Sequence, residues 1–196
     1  MTLSGDPCRA WEARENSKVL QKTVNFSDTT ILVVDDNQYM RQLISHMLRA
    51  FEVGTVLHAD NAKEGFAEIR QSKIDCLIVD WLMPGMSGIE FVTMVRTSPQ
   101  SSRPDIPIIL CSGHTEKDLV VEARDAGVSE ILTKPLSPRS LFEKLDLAIF
   151  HPRPFIIMPS YTGPCRRRRL NAQYDGIERR RDSGLQQHDI DALLYS

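Results

Sequence analysis

The sequence predicts an α/β protein in which residues 29–150 form a parallel β-sheet covered by helices on both faces. Two observations and one general rule support this fold class. Short apolar runs alternate with segments of helical periodicity five times within residues 29–150. The runs are continuously apolar rather than alternating, as expected for strands that are buried on both faces. Right-handed connections between parallel strands then favour a doubly wound sandwich.

The apolar runs define the predicted strands, which are residues 31–35, 53–58, 76–79, 106–111 and 130–133. After each run, apolar residues recur three or four positions apart, which is the spacing of one helix face. Asn61, with Glu64 three positions later, resembles a capping box at the start of the second helix. Gly127 is expected to end the fourth helix.

Composition separates the predicted domain from its extensions. Residues 29–150 carry 12 Lys/Arg and 17 Asp/Glu, whereas residues 151–196 carry 8 Arg and 5 Asp/Glu. Residues 1–28 are polar and lack sustained periodicity, so we expect a flexible leader. Repeated prolines predict a Pro/Arg-rich disordered linker over residues 151–184. Residues 185–196 are predicted to form a short amphipathic helix with Ile190, Leu193 and Leu194 on one side.

The sequence also disfavours several classes of protein. No apolar run reaches the roughly 18 residues of a membrane-spanning helix, and the N-terminus lacks the apolar stretch of a signal peptide. The cysteines do not have the paired spacing of a zinc site. Cys76 and Cys111 lie in apolar runs, which is typical of buried thiols. We therefore expect a cytoplasmic protein.

Carboxylates, a hydroxyl and an ammonium stand at the carboxyl ends of four predicted strands. The carboxyl ends of parallel strands meet at one edge of the sheet. The residues there are, in strand order, Asp35 and Asp36, then Asp80, then Ser112 and Gly113, then Lys134 and Pro135. Clustered carboxylates repel one another unless a cation lies among them, and their hard oxygen atoms suit Mg²⁺. A carboxylate in such a site can act as a nucleophile and form an aspartyl-phosphate. Lys134 and Ser112 would then donate to the phosphoryl oxygens.

Four segments resemble the receiver domain of response regulators. They are ILVVDDN (31–37), LIVDWLMPGMSGIE (77–90), LCSG (110–113) and ILTKPL (131–136). The resemblance implies a flavodoxin-like (βα)5 fold with strand order 2-1-3-4-5. It also implies a protein that accepts a phosphoryl group from a sensor histidine kinase or phosphotransfer protein. Such a protein signals by protein contact, here in chemotaxis or motility. Apart from self-catalysed phosphotransfer and dephosphorylation, we expect no enzymatic activity.

The resemblance assigns roles to the residues at the strand ends. Asp80 would be the phosphoacceptor, and Mg²⁺ would be held by Asp35, Asp36, Asp80 and the backbone carbonyl of Leu82. Ser112, Gly113 and Lys134 would bind the phosphoryl group, and Gly85 and Gly88 would shape the loop that follows Asp80.

Further positions follow from the same resemblance. The Lys134–Pro135 peptide bond would be cis. Leu82 and His114 occupy positions that tune the lifetime of the phosphoryl group. Ile131 stands where the family has an aromatic switch residue. The usual coupled movement of an aromatic ring and the switch hydroxyl, here Ser112, is therefore not expected in its ordinary form.

The C-terminal stretch LQQHDIDALL resembles the N-terminal peptide of flagellar switch proteins, which binds a phosphorylated chemotaxis receiver. This resemblance predicts that Ile190, Leu193 and Leu194 dock on the face formed by the fourth helix, fifth strand and fifth helix. Docking could involve the chain's own domain or a neighbouring molecule. A downstream protein partner is expected to use the same face.

Two alternatives remain open at this stage. Arginine clusters at residues 166–169 and 179–181 fit a transcriptional or RNA-binding regulator that acts through its tail. However, no DNA-binding module is recognisable in that segment, so we do not expect nucleic acid as a partner. The other alternative is a structural pseudo-receiver, which the complete set of acids at the strand ends disfavours.

Overall fold

The computed structural model describes residues 24–113, 117–158, 160–166 and 190–191. Five parallel strands form a sheet in the order β2-β1-β3-β4-β5, which confirms the predicted fold. The strands are β1 (Thr30–Val34), β2 (Thr55–Ala59), β3 (Cys76–Asp80), β4 (Ile108–Ser112) and β5 (Glu130–Thr133). The helices between and after them are α1 (Gln38–Ala50), α2 (Ala62–Gln71), α3 (Gly88–Thr97), α4 (Lys117–Asp125) and α5 (Pro138–Ile149).

Two apolar clusters lie on the two faces of the sheet. Leu32 and Val34 of β1 belong to the cluster that includes residues of α2, α3 and α4, which we call the first cluster. Ile31 and Val33 of the same strand belong to the cluster that includes residues of α1 and α5. All four side chains are fully buried. Burial on both faces explains why the strands read as continuous apolar runs in the sequence.

Two strands begin later than the sequence predicted. The N–H group of Val53 donates to Leu48, and that of Ile106 donates to Arg103, so both residues belong to turns. β2 and β4 therefore begin at Thr55 and Ile108.

Side chains cap the N-termini of α2 and α3. Asn61 accepts a hydrogen bond from the Glu64 N–H group, as the sequence predicted, but the Glu64 carboxylate accepts from Asp60 rather than from Asn61. The complete capping box is found one helix later. There Ser87 accepts from the Glu90 N–H group, and the Glu90 carboxylate accepts from the Ser87 N–H group.

The domain begins earlier than predicted, because part of the expected leader is packed against it. Phe26 is almost fully buried. Its ring meets Phe142 edge-on, with 5.6 Å between ring centroids, and lies 5.3 Å from the Phe150 ring. The boundary at residue 29 is therefore wrong. Residues 1–23 lie outside the described residues.

A second correction concerns residues 151–184, which the sequence predicted to be a disordered linker. Residues 155–164 instead contain an antiparallel hairpin of β6 (Phe155–Met158) and β7 (Tyr161–Pro164). The buried guanidinium of Arg153 donates to the carbonyls of Cys165, Val128 and Ser129, which fastens the hairpin to the start of β5. Residues 167–184 lie outside the described residues.

Two glycines allow the hairpin to approach the domain closely. Gly127 has a φ of +92°, and a Cβ atom there would lie 2.7 Å from the Thr162 carbonyl oxygen. A Cβ atom at Gly163 would lie 2.7 Å from the Gly127 Cα atom. A larger residue at either position would push the hairpin away from the sheet.

None of the described helices combines the length and the apolar composition that a membrane span requires.

Candidate functional site

The carboxyl ends of the parallel strands bring the predicted polar residues to one edge of the sheet. Val34 pairs with Val79, so the Asp35 that follows β1 lies beside the Asp80 that ends β3. Ser112, at the end of β4, pairs with Thr133, and Lys134 comes next in the chain. Four strands therefore supply the site, as the sequence predicted.

Three of these side chains form an acidic cluster. Carboxylate oxygens of Asp35, Asp36 and Asp80 all lie within 4.8 Å of one another. Asp35 and Asp80 are buried, whereas Asp36 is exposed. Negative charges this close repel one another, so the cluster favours a bound cation.

Asp35 has one satisfied and one unsatisfied oxygen. Its Oδ1 atom accepts a hydrogen bond of 2.8 Å from the Asn37 N–H group, and its Oδ2 atom is buried without a hydrogen-bond partner. Burial raises the pKa of the Asp35 carboxyl above its ordinary value. The Asn37 hydrogen bond opposes this rise and the charge of Asp80 adds to it. An orphaned carboxylate oxygen beside two other acids fits a hard divalent cation such as Mg²⁺.

Lys134 supplies the positive charge of the site. Its Nζ atom lies 2.7 Å from Asp80 Oδ1 and 4.0 Å from Asp35 Oδ2. Burial alone would lower the pKa of the Lys134 ammonium, but the hydrogen bond and charge of Asp80 outweigh burial and raise that pKa. Lys134 is therefore held as a cation against the Asp80 carboxylate.

Backbone hydrogen bonds hold Asp80 and Lys134. Asp80 Oδ1 also accepts a 2.9 Å hydrogen bond from the Trp81 N–H group. The Lys134 N–H group donates to the Ser112 carbonyl at 2.7 Å, and the Lys134–Pro135 peptide bond is cis, which matches the family resemblance. The Trp81 N–H group therefore helps to orient the Asp80 carboxylate.

The loop between β3 and α3 passes directly over Asp80. The Gly88 N–H group donates to the Trp81 carbonyl at 2.8 Å. A Cβ atom at Gly88 would lie only 2.2 Å from the Asp80 carbonyl oxygen, so any side chain there would displace the loop. Gly85 has a φ of +81°, a conformation that favours glycine.

The remaining predicted positions have different outcomes. Ser112 is fully buried, and Gly113 is exposed at the end of β4. Leu82 is 59% exposed, and its carbonyl as a metal ligand stays a prediction. Ile131 is buried in the first cluster. His114 lies outside the described residues.

A second charged cluster, which the sequence reasoning missed, lies at β5 and α5. Lys144 Nζ lies 3.2 Å from Glu130 Oε2 and also pairs with Asp191. Lys144 and Glu130 are nearly inaccessible to solvent, with side-chain exposures of 4% and 1%. One sequence signal was present, because Lys144 stands on the same helix face as Leu141, Leu145 and Ala148.

Comparison with known proteins agrees with this geometry. The family described as the response regulator receiver domain matches residues 31–146. Chemotaxis protein CheY of Pseudomonas aeruginosa is 31% identical over 116 residues, which cover 59% of this chain and 92% of that protein. The Chemotaxis protein CheY homolog of Campylobacter jejuni is 36% identical over 117 residues, which cover 59% and 88%.

Two further matches show how far the similarity extends. A high-resolution structure of chemotaxis response regulator CheY4 of Vibrio cholerae has a TM-score of 0.56 and 31% identity, covering 61% of this chain and 98% of that one. The phosphate regulon transcriptional regulatory protein PhoB of Pseudomonas aeruginosa is 34% identical, but the match covers only 51% of it. The chain belongs to the response regulator receiver domain family, whose members act in two-component signalling.

Proposed function

We propose that this response regulator accepts a phosphoryl group on Asp80 from a sensor histidine kinase or a phosphotransfer protein, with Mg²⁺ bound among Asp35, Asp36 and Asp80. The contact between Lys134 and Asp80, beside the acidic cluster, is the observation that carries this proposal. A structural ion pair alone would not need two further acids at the same edge of the sheet.

Asp80 is the nucleophile in the proposed reaction. Its Oδ1 atom is held by the Trp81 N–H group and the Lys134 ammonium, so we expect Oδ2 to attack. The new bond joins an Asp80 oxygen to phosphorus while the bond from phosphorus to the donor's histidine nitrogen breaks. The donor's imidazole takes up a proton as it leaves.

The other residues stabilise charge in this reaction. Bound Mg²⁺ would offset the acids and take a phosphoryl oxygen as a ligand. Lys134 and the Ser112 hydroxyl would donate to the remaining phosphoryl oxygens. Because Lys134 already touches Asp80, its ammonium needs only a small movement to follow the negative charge onto the phosphoryl group.

Labelling with acetyl phosphate tests the assignment of Asp80. We expect Mg²⁺-dependent incorporation of one phosphoryl group by intact mass, and we expect Asp80→Asn to abolish it while the circular dichroism spectrum is retained. Asp105→Asn is the matched control, because Asp105 is exposed and pairs with Arg103 rather than with the site. Labelling of Asp80→Asn at the wild-type level would contradict the assignment.

The output is proposed to be a phosphorylation-dependent protein contact in chemotaxis or motility. Several of the matched relatives are chemotaxis proteins, and the chain covers most of their length. The match to PhoB is confined to about half of that protein, so it supports the receiver rather than a transcriptional output. Cytoplasmic location stays a prediction.

A pull-down from the host cell with and without beryllofluoride, a phosphoryl analogue, tests this output. Capture of a motility protein only in the presence of beryllofluoride would support the chemotaxis proposal. Equal capture under both conditions would contradict a phosphorylation-dependent output.

A further inference from the structure

Two residues near the C-terminus are packed on the receiver domain. Ile190 is fully buried and belongs to the first cluster, with Val120 of α4 and Ile131 of β5. The next residue, Asp191, pairs with Lys144 of α5. Leu193 and Leu194, which the sequence placed on the same apolar stripe, lie outside the described residues.

These contacts locate the two residues at one edge of the sheet. The first cluster lies on the face covered by α2, α3 and α4, whereas α5 covers the opposite face. β5 is an edge strand of the sheet and pairs with β4. Because adjacent residues reach both faces, Ile190 and Asp191 lie across the β5 edge, between α4 and α5.

The surface on which Ile190 and Asp191 lie is apolar where it contacts Ile190 and positively charged where it contacts Asp191. An apolar cluster accepts the Ile190 side chain, and the nearly inaccessible ammonium of Lys144 lies between the carboxylates of Glu130 and Asp191. Burial strengthens such charge interactions, because the local dielectric constant is lower than that of water. In this structure the face therefore holds an aliphatic residue followed directly by an acid.

The same chain is a suitable source for this segment. Arg153 holds the Cys165 carbonyl beside Val128 and Ser129, immediately before β5. The connection to Ile190 therefore starts close to the strand on which Ile190 docks. A chain spans at most about 3.5 Å per residue, and residues 167–189 are ample to join these two points. Because the tether makes docking intramolecular, the terminus does not have to be captured from solution.

We propose that Ile190 and Asp191 are an intramolecular occupant of the face formed by α4, β5 and α5. A partner that presents an aliphatic–acid pair to this face must displace the chain's own terminus. The docking itself needs no phosphoryl group, and only its role in signalling rests on the proposed function. β5 leads directly into Lys134. Replacement of the chain's own terminus by a partner at the β5 edge would therefore take place next to the residue proposed to bind the phosphoryl group.

Binding of a fluorescent peptide of residues 185–196 to full-length proteins tests this occupancy without any phosphoryl donor. Wild type should bind the peptide weakly, because its own terminus occupies the face. Ile190→Asp removes the apolar contact of the terminus and leaves every residue of α4, β5 and α5 unchanged, so this variant should bind the peptide at least ten-fold more tightly than wild type. Glu143→Lys is the control, because Glu143 lies on α5 but is exposed and pairs with Arg139, and it should bind like wild type.

Hydrogen exchange of the same proteins provides an independent measurement. Ile190→Asp should increase exchange in residues 130–133 and 138–149, to the same extent at every protein concentration. A difference that grows with concentration would show docking between molecules and would overturn the intramolecular proposal. Equal peptide binding and equal exchange in wild type and Ile190→Asp would overturn docking altogether. Neither outcome affects the phosphorylation of Asp80, which is measured separately.

Discussion

Lys134 Nζ lies 2.7 Å from Asp80 Oδ1, although 54 positions separate the two residues in the chain. The contact exists because β3 and β5 end at the same edge of the sheet, with β4 between them. The pairing of Asp80 with Lys134 is therefore a consequence of the sheet topology rather than of a local motif. Loss of either side chain should therefore be separable from loss of the fold.

Lys134→Met should reduce labelling by acetyl phosphate at least ten-fold. The variant keeps the length of the side chain but leaves Asp35 and Asp80 without their shared cation. Lys63→Met is the control, because Lys63 is exposed on α2. The initial rate of labelling at saturating Mg²⁺ is the measurement, and an unchanged rate would remove Lys134 from the phosphoryl-binding role.

Gly88→Ala should destabilise the protein by more than about 1 kcal/mol and weaken Mg²⁺ binding, since overpacking and displaced backbone commonly cost ~1–3 kcal/mol. The new Cβ atom would lie 2.2 Å from the Asp80 carbonyl oxygen. Gly113→Ala is a matched control, because its Cβ atom would meet nothing within 4 Å. Urea unfolding measures the free energy of unfolding, and equal values for both variants would contradict the close contact.

The sequence predicted the strands and the strand-end site because their signals are local. Each strand is a continuous apolar run, and Asp35, Asp80, Ser112 and Lys134 stand at the ends of such runs. Parallel topology then brings them together without further information. The resemblance to receiver domains added the strand order and the role of each residue.

The hairpin at residues 155–164 was missed for a physical reason. Its strands are short and flanked by prolines, which favour a loop interpretation. It is held by contacts that are distant in sequence, namely Arg153 with the Val128 and Ser129 carbonyls and Gly163 against Gly127. No local pattern records such contacts.

Leu82→Asn should shorten the lifetime of the phosphoryl group on Asp80. Leu82 is exposed two residues after Asp80, the proposed phosphoacceptor, and its apolar side chain cannot orient an attacking water molecule. An amide at this position can donate and accept hydrogen bonds. Leu43→Asn is the control, because Leu43 is a partly exposed leucine on α1. Decay of the labelled protein after removal of acetyl phosphate gives the rate, and slower or unchanged decay would exclude Leu82 as the cause.

The pair of Lys144 and Glu130 should show strong coupling in a double-mutant cycle. Lys144→Met removes the ammonium that lies 3.2 Å from the buried Glu130 carboxylate, and breaking a buried pair typically costs about 3–5 kcal/mol. In the Lys144→Met, Glu130→Gln double variant, no formal charge is left in the pair, so its loss of stability should be smaller than that of Lys144→Met alone. Urea unfolding of the four proteins at neutral pH gives the coupling free energy.

The same cycle should be repeated in the Ile190→Asp background, because Lys144 also pairs with Asp191. If the terminus is docked, its release removes one acid from Lys144, and the cost of Lys144→Met should fall. Glu130 remains paired in both backgrounds, so its own coupling to Lys144 should persist. Additive effects of Lys144→Met and Glu130→Gln would contradict a buried ion pair. An identical cost of Lys144→Met in both backgrounds would contradict the contribution of Asp191.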